Sequence, residues 1–448
     1  MSNTVYGGDE VNAIILDPGT YNTRIGYAGD DFPKIITPSY YGEYSNKDTT
    51  KKLFGQDLLI PRSNFEIKPL LKEGLISDWD STILQFNHLF NQLKIQQSEQ
   101  PLLLTEPIWS STEYKTKLIE SVYENWQFSG FYVAKVPTCI SFQQGRPNCL
   151  VVDLGHDTIS VTPVVDGICL IKNSMKTNYS GKFLNSIIED YLQDKNIVWE
   201  PSYKIKSKTI TKYPEPAQFQ LKSGIETTNS YSQFLKLQMY HEFKELLMIP
   251  EKGQTEFPKR IFELSTGQQI TLEKERFQFA DCIFEPKSYE FKNKQLELPP
   301  SNGEIKNLNP LNEYRPLKRF KKSEQEENET ASTTPNPDVE VRGLSQLITH
   351  SLNLIDIDLR SSIANNIIVT GGVSLIPGLT EKLYHELTNN NPGLKIRLHA
   401  VGNQQERINQ SWIGGSVLAS LGTFHQMWVT KQEYEEVGID RLLNQRFR

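Results

Sequence analysis

Two aspartates in this chain stand at the ends of short apolar strands, each just ahead of a glycine turn. Asp17 follows the β-rich run Val11–Leu16 and precedes Pro18-Gly19-Thr20, after which Arg24–Tyr27 resumes the apolar pattern. Asp153 follows Cys149–Val152 and precedes Gly155-His156-Asp157-Thr158, and Ile159–Val165 returns. Turns of this kind present backbone N–H groups to phosphate oxygens, and glycine lets the backbone approach closely. Carboxylates at the strand ends are suited to a hydrated Mg²⁺. One unit alone is an ordinary hairpin turn; two of them, far apart in the chain, read as duplicated halves that face each other as a phosphate clamp. A third glycine turn follows the apolar strand Asn366–Thr370, where Gly371-Gly372-Val373 leads to a helical pattern from Leu379. Strand, glycine pair and helix suit the edge of a nucleotide site, although Gly371-Gly372 by itself serves equally as a packing turn.

The elements that must hold these turns alternate between strand and helix, as where Leu102–Thr105 leads into the amphipathic stretch Glu113–Trp126. The expected architecture is α/β. Near the end, Trp412–Thr423 carries small residues at helical spacing, which lets a helix pack closely on a neighbour. With 448 residues, 37% of them apolar, the chain has material for a large core and favours two or more domains. The 48 basic and 54 acidic side chains give a net charge of −6, which argues against a general attraction to nucleic-acid phosphates. Four cysteines are too few and too scattered for a disulfide framework, no Cys-x-x-Cys pair suggests zinc, and a reducing compartment is expected. No apolar stretch reaches membrane-spanning length and the first residues lack a secretory pattern, so a membrane is not expected as a partner.

Composition shifts between Ser288 and Asp338, which are rich in Asn, Pro, Lys and Glu, and this segment reads as a disordered insertion. Within it Arg315, Lys318, Arg319, Lys321 and Lys322 form a compact basic cluster, followed at once by the acidic run Glu324–Glu329. That pattern is the signature of a nuclear import signal, or of a solvated charge run in a loop.

The stretch Asp17–Pro33, the strand exit Leu103–Pro107 and above all Ser411–Glu436 resemble the actin family, over nearly the whole chain outside the insertion. The opening Val5–Val11, the phrase Gly145–Asp157 and the ending Arg441–Arg448 resemble its nuclear, chromatin-associated branch. The resemblance implies an actin-like fold of the actin, Hsp70 and sugar-kinase type, with two lobes, four subdomains and a central nucleotide cleft. Residues 1–33, 70–144 and 410–448 would form the first subdomain and 34–69 the second. Residues 145–179 and 292–409 would form the third, with the insertion at about 288–338, and 180–291 the fourth. ATP with Mg is the implied ligand. Gly19, Thr20, Tyr21 and Arg24 would line one phosphate turn, Arg24 standing where the family has a lysine, and Gly155, His156 and Asp157 the other. Gly181, Lys182, Lys244 and Glu245 would approach the ribose and adenine, and Gly371, Gly372, Val373 and Ile376 would close the adenosine pocket. Asp17 and Asp153 would hold the metal through water.

Hydrolysis in this family uses a glutamine and a histidine to orient water, and alignment puts Val136 and Ser160 at those places, so hydrolysis is expected to be absent or very slow. The segment Tyr44–Lys52, which forms the filament-contacting loop in actins, is polar here and argues against a filament subunit; a catalytic ATPase is the other alternative. The implied setting is the nucleus, in histone acetyltransferase and ATP-dependent chromatin-remodelling complexes. The implied partners are monomeric actin, a helical segment of a large ATPase or scaffold subunit, and histones or the nucleosome.

Overall fold

The computed structural model describes residues 13–46, 49–224, 226–251, 253–254, 256–296, 298–299 and 341–447. The fold has two lobes, each built on a six-stranded sheet. In the first lobe the order is Val429–Thr430, Gly130–Lys135, Leu102–Glu106, Ile14–Pro18, Asn22–Tyr27, Ile35–Pro38. In the second it is Ile168–Cys169, Ile159–Val165, Cys149–Leu154, Ile367–Thr370, Leu398–His399, with Met175–Thr177 paired to Ile159–Val165.

The same unit recurs in both sheets. An antiparallel hairpin, Ile14–Pro18 with Asn22–Tyr27 or Cys149–Leu154 with Ile159–Val165, has a parallel strand against its first arm. Those first arms lie mid-sheet and are covered on both faces, which is why they are continuous apolar runs rather than alternating ones. Pro18 is tolerated because it sits at the very end of its strand. The core of the first lobe gathers Phe86, Phe90, Trp126, Phe128 and Phe131; a larger core in the second joins Phe183, Ile187, Phe243, Phe279 and Leu347.

Two helices join the lobes, Val136–Gln143 and Gln410–Ser420. The small residues of the latter allow a close backbone approach: a Cβ on Gly414 would stand 1.9 Å from the Cys139 carbonyl oxygen. Trp412 locks the same helix to the first sheet by donating from Nε1 to the Ile15 carbonyl at 3.1 Å. The amphipathic stretch expected at Glu113–Trp126 is an α-helix, Thr112–Glu120, continued by a π-helical turn, Ser121–Asn125, and capped by Ser111, whose Oγ accepts from Tyr114 N.

The compositional break at Ser288 comes before the packing ends. Tyr289, Phe291 and Leu298 rest on the second core. The buried Asp190 accepts from Tyr289 Oη at 2.8 Å and from the Lys292 and Asn293 amides at 3.2 and 2.8 Å. One satisfied carboxylate ties down a polar segment that composition alone assigns to disorder. Arg315, Lys318, Arg319, Lys321 and Lys322 lie outside the described residues. Among the described residues no helix is long and apolar enough to cross a membrane.

Candidate functional site

Both hairpins close in the same way. Gly19 N donates to Asn22 O at 3.1 Å and Gly155 N to Thr158 O at 3.0 Å, so the residues beyond each glycine form the tip. In the first hairpin Asp17 and Arg24 are direct cross-strand partners, which puts their side chains on one face. Arg24 Nη1 lies 3.3 Å from Asp17 Oδ2, and Arg24 Nε donates to Asn409 Oδ1 at 2.7 Å. Asp17 also accepts from Thr105 Oγ1 at 2.5 Å and from Ser411 Oγ at 2.7 Å. Asn409, Ser411 and Thr105 are polar neighbours of this pair that sequence reasoning did not single out.

The second hairpin receives the helix Gly181–Asp194 end-on. Gly181 N and Lys182 N donate to the carbonyls of Gly155 and His156 at 3.2 and 2.7 Å, and Ser180 Oγ to the His156 carbonyl at 2.6 Å. Gly371 meets the same hairpin from the other side with φ +88, and a Cβ there would be 2.4 Å from the Leu154 carbonyl and 2.7 Å from Asp153 Oδ1. Only glycine fits both constraints. Val373 follows against Gly181, and Ile376 is buried beneath the start of the helix Leu379–Asn390.

The lobes meet at two levels. Deep in the cleft the Tyr21 ring lies 5.0 Å from His156, first hairpin on second. Towards the rim, Leu58, Phe65 and Ile67 of the first lobe pack with Tyr231 and Phe234 of the second. Hydrogen bonds cross beside them, from Thr228 Oγ1 to Phe65 O at 2.5 Å, Ile67 N to Ser230 Oγ at 3.1 Å and Tyr231 Oη to Leu59 O at 2.9 Å. The helix Asn229–Lys244 carries Tyr231 at the rim and Lys244 at the base, a depth of about 20 Å at the rise of an α-helix. Between the levels, Tyr21, Tyr40, Phe234 and Gln238 line a cavity of about 50 Å³.

The electrostatics favour an anion. Lys244 is half-buried, its ammonium 3.4 Å from the Gly181 carbonyl, without a carboxylate partner among the described residues, and desolvation pulls its pKa down to about 8. Burial and the neighbouring Lys244, Lys182 and His241 hold His156 neutral, with its pKa lowered to about 3. Lys244 and Lys182 have no carboxylate partner among the described residues and suit phosphate or another anionic group, although the Asp157 carboxylate lies 3.9 Å from His156 Nε2. Glu245 stands apart: its carboxylate is exposed and lies 3.7 Å from His241 on the same helix.

At the other end of the site the balance reverses. Burial, and then Asp17, push the Asp153 carboxyl up to about 6, with Arg24 opposing, and no side chain or backbone donor reaches Asp153 among the described residues. Two facing carboxylates and one guanidinium leave a negative charge that a divalent cation would relieve. Asp153 fits that role fully and Asp17 only partly, since three donors already occupy it. Among the described residues no three acidic, histidine or cysteine side chains gather as direct ligands, so a cation here would be held through water. Asp157 is engaged instead by Glu73, whose N–H donates to its Oδ2 at 3.1 Å. Ser160 stands opposite Asp153 in register and Val136 opens one of the two junction helices.

The family model for actin matches residues 8–448. Actin-related protein 4 of Candida albicans is 60% identical across 100% of this chain and 99% of its own length. The same-named proteins of Debaryomyces hansenii and Saccharomyces cerevisiae are 53% and 40% identical, the former over 99% of this chain and 98% of its own length, the latter over the full length of both.

Proposed function

This chain belongs to the actin family, and from that premise we propose that it binds ATP without turning it over and serves as a structural subunit of nuclear chromatin complexes. The observation that carries the reading is the doubly closed cleft. Its base is an anion-seeking cradle around Lys244, His156 and Lys182, and its rim is sealed by Phe65, Tyr231 and Phe234 from opposite lobes. A ligand enclosed this way, bound by the closed form alone, stabilises that form by mass action.

Thr20 and the tip amides of both hairpins would hold the phosphates, Arg24 would offer a guanidinium fork, and Gly181, Gly371, Gly372, Val373 and Ile376 would bound the nucleoside. Asp153, with Asp17, would hold Mg²⁺ through water, which when bound neutralises phosphate charge. Val136 has no polar atom with which to orient a water in line with the terminal phosphate, and Ser160 stands where the family has a histidine, which supports ATP as a lasting ligand.

The assembly reading extends to histone acetyltransferase and ATP-dependent remodelling complexes, with roles in nucleosome or histone engagement, transcription regulation and DNA repair. Its expected partners are monomeric actin and a helical segment of a large subunit. Support comes from the apolar side chains left exposed about the junction helices, Phe142, Ile168, Val417 and Leu421, a surface suited to an amphipathic helix. Nuclear import would rest on the cluster Arg315–Lys322.

The test is to denature the purified protein, identify released nucleotide by chromatography and follow phosphate release from the native protein over hours. Stoichiometric ATP without turnover is expected; sustained phosphate release overturns the reading.

A further inference from the structure

Between the helices Gly181–Asp194 and Asn229–Lys244 the chain forms a two-stranded antiparallel ribbon, Ile205–Thr209 with Gln218–Leu221, that belongs to neither large sheet. Every residue of its two strands is exposed except the half-buried Ile205 and Phe219. Residues 204–222 carry five lysines, Lys204, Lys206, Lys208, Lys212 and Lys222, against one acid, Glu215, a local charge of +4 in a chain whose net charge is −6.

An uncovered two-stranded ribbon is marginal in water, but this one is pinned at both ends. At one end Lys222 N donates to the Lys204 carbonyl at 2.7 Å, and the Tyr203 ring lies 5.7 Å from that of the buried Tyr231. At the other, Thr211 N donates to the Gly267 carbonyl at 3.2 Å. Gly267 holds φ at +85, and a Cβ there would stand 2.8 Å from the Thr209 carbonyl oxygen and 3.3 Å from Lys208 Cδ. The ribbon is therefore preformed, with no layer of the chain's own covering it.

Its two faces differ in chemistry. Ser207 pairs with Gln220 and Thr209 with Gln218, so these four neutral hydrogen-bonding side chains share one face. Ser207 Oγ donates to Gln220 Oε1 at 3.3 Å, which leaves the Gln220 amide hydrogens to donate elsewhere. Lys208 and Phe219 are opposite one another on the other face, and Lys206 is the extra residue where the register shifts between Ile205 and Ser207. Lys204 lies 3.6 Å from Glu200 and Lys208 2.9 Å from Glu263, in partly exposed pairs that hold their lysines weakly. Lys206, Lys212 and Lys222 have no carboxylate partner among the described residues.

We propose that this ribbon is a contact surface for duplex DNA, with its lysines on the phosphates and the face of Ser207, Thr209, Gln218 and Gln220 towards a groove. Lysine, serine, threonine and glutamine are residue types that bond phosphate oxygens and base edges, and the major groove is wide enough for a two-stranded ribbon. At the rise of a strand, five residues span about 17 Å, the length of about five base pairs. No carboxylate lies on either strand to repel the backbone. The neutral quartet favours a nucleic-acid groove over an acidic peptide, whose carboxylates would call for cations along that face. The inference deepens the chromatin reading and rests on it for the partner's setting, while the surface itself is independent of nucleotide.

The test titrates a fluorescent duplex of about 20 base pairs of mixed sequence with the full chain and follows anisotropy between about 50 and 200 mM salt. Binding is expected at the lower salt, with log affinity falling against log salt at a slope of about −4. The variant Lys206→Gln, Lys212→Gln, Lys222→Gln breaks no ion pair among the described residues, and it should lose about tenfold or more in affinity and flatten the slope by about 3. The same three positions changed to Arg should keep both, as should a control of equal charge on exposed lysines elsewhere, Lys51→Gln, Lys94→Gln, Lys287→Gln. A wild-type chain that leaves the duplex free at the lower salt overturns the inference, and so does a ribbon variant within about twofold of the control. A poly-glutamate peptide that binds the ribbon more tightly than the duplex does makes the partner an acidic protein and overturns it as well. Any of these failures leaves the nucleotide and assembly reading to its own test by released nucleotide and phosphate.

Discussion

Ser411 donates its hydroxyl to Asp17 Oδ2 at 2.7 Å across 394 residues of chain, joining a junction helix to the tip of the first sheet. Arg24 approaches the same oxygen, and the Asp17 side chain is 6% exposed. Removing Arg24 therefore strands a buried charge. Arg24→Ala should cost about 3 kcal/mol or more, and Ser411→Ala about 1 kcal/mol, measured by urea unfolding of the nucleotide-free protein.

Asp153 is the inverse case, a carboxylate that the fold disfavours when ionised. Its pKa is about 6 in the folded chain against 3.8 for an ordinary aspartate. Between those values the folded state keeps a proton that the unfolded state has lost, so the penalty grows with pH and is complete above about 6. Asp153→Asn should stabilise the nucleotide-free chain at pH 7.5 by on the order of 2–3 kcal/mol, with the gain gone below about pH 4. The same variant should weaken Mg-dependent retention of nucleotide, read by dialysis with and without chelator.

His156 adds acid sensitivity of opposite origin. Its folded pKa is lowered to about 3 from 6.5, so between these values the unfolded state takes a proton that the folded one refuses. Stability should fall on acidification below pH 6.5, by about 1.4 kcal/mol per pH step from this group alone. The His156→Gln variant isolates the effect: its unfolding curves at pH 7 and pH 5 should lie closer together than those of the wild type.

At the rim, Tyr231 and Phe65 are fully buried with ring centroids 5.8 Å apart. Tyr231→Ala or Phe65→Ala should cost about 3–5 kcal/mol and accelerate nucleotide loss, whereas an exposed control, Tyr384→Ala, should do neither. Equal release from both kinds of variant would remove the rim from the account.

Gly414 and Gly422 test the junction. A Cβ at Gly414 would meet the Cys139 carbonyl at 1.9 Å, and one at Gly422 meets nothing within 4 Å. Gly414→Ala should lose about 3 kcal/mol or fail to fold, and Gly422→Ala should change stability by under about 1 kcal/mol, measured by thermal melting.

The hairpins and their aspartates were legible because local signals coincide there: an apolar run, a carboxylate, a glycine turn and a second apolar run. The Glu73 amide that engages Asp157 was not, since the strands of two residues on either side of it, Leu71–Lys72 and Leu75–Ile76, show no periodicity and glutamate is a poor emblem of a left-handed turn. Ser411 and Asn409 stand just ahead of Trp412–Thr423, the stretch read as a closely packed helix, and their contacts depend on Asp17 and Arg24 near the other end of the chain. Tyr231 and Phe234 are set among polar neighbours, so the rim seal has no pattern of its own. The break at Ser288 erred because one buried carboxylate, Asp190, outweighs the composition of the residues that follow.

The contact between Gly414 and Cys139 has a mechanical side. With helix backbone against helix backbone, no layer of flexible side chains is left to shear, so the lobes can swivel about that point but cannot slide past each other. The rim lies at the far end of the lever, where the smallest turn at the fulcrum is most magnified. A partner that grips the exposed side chains about the fulcrum would therefore hold the gate at the rim without touching it.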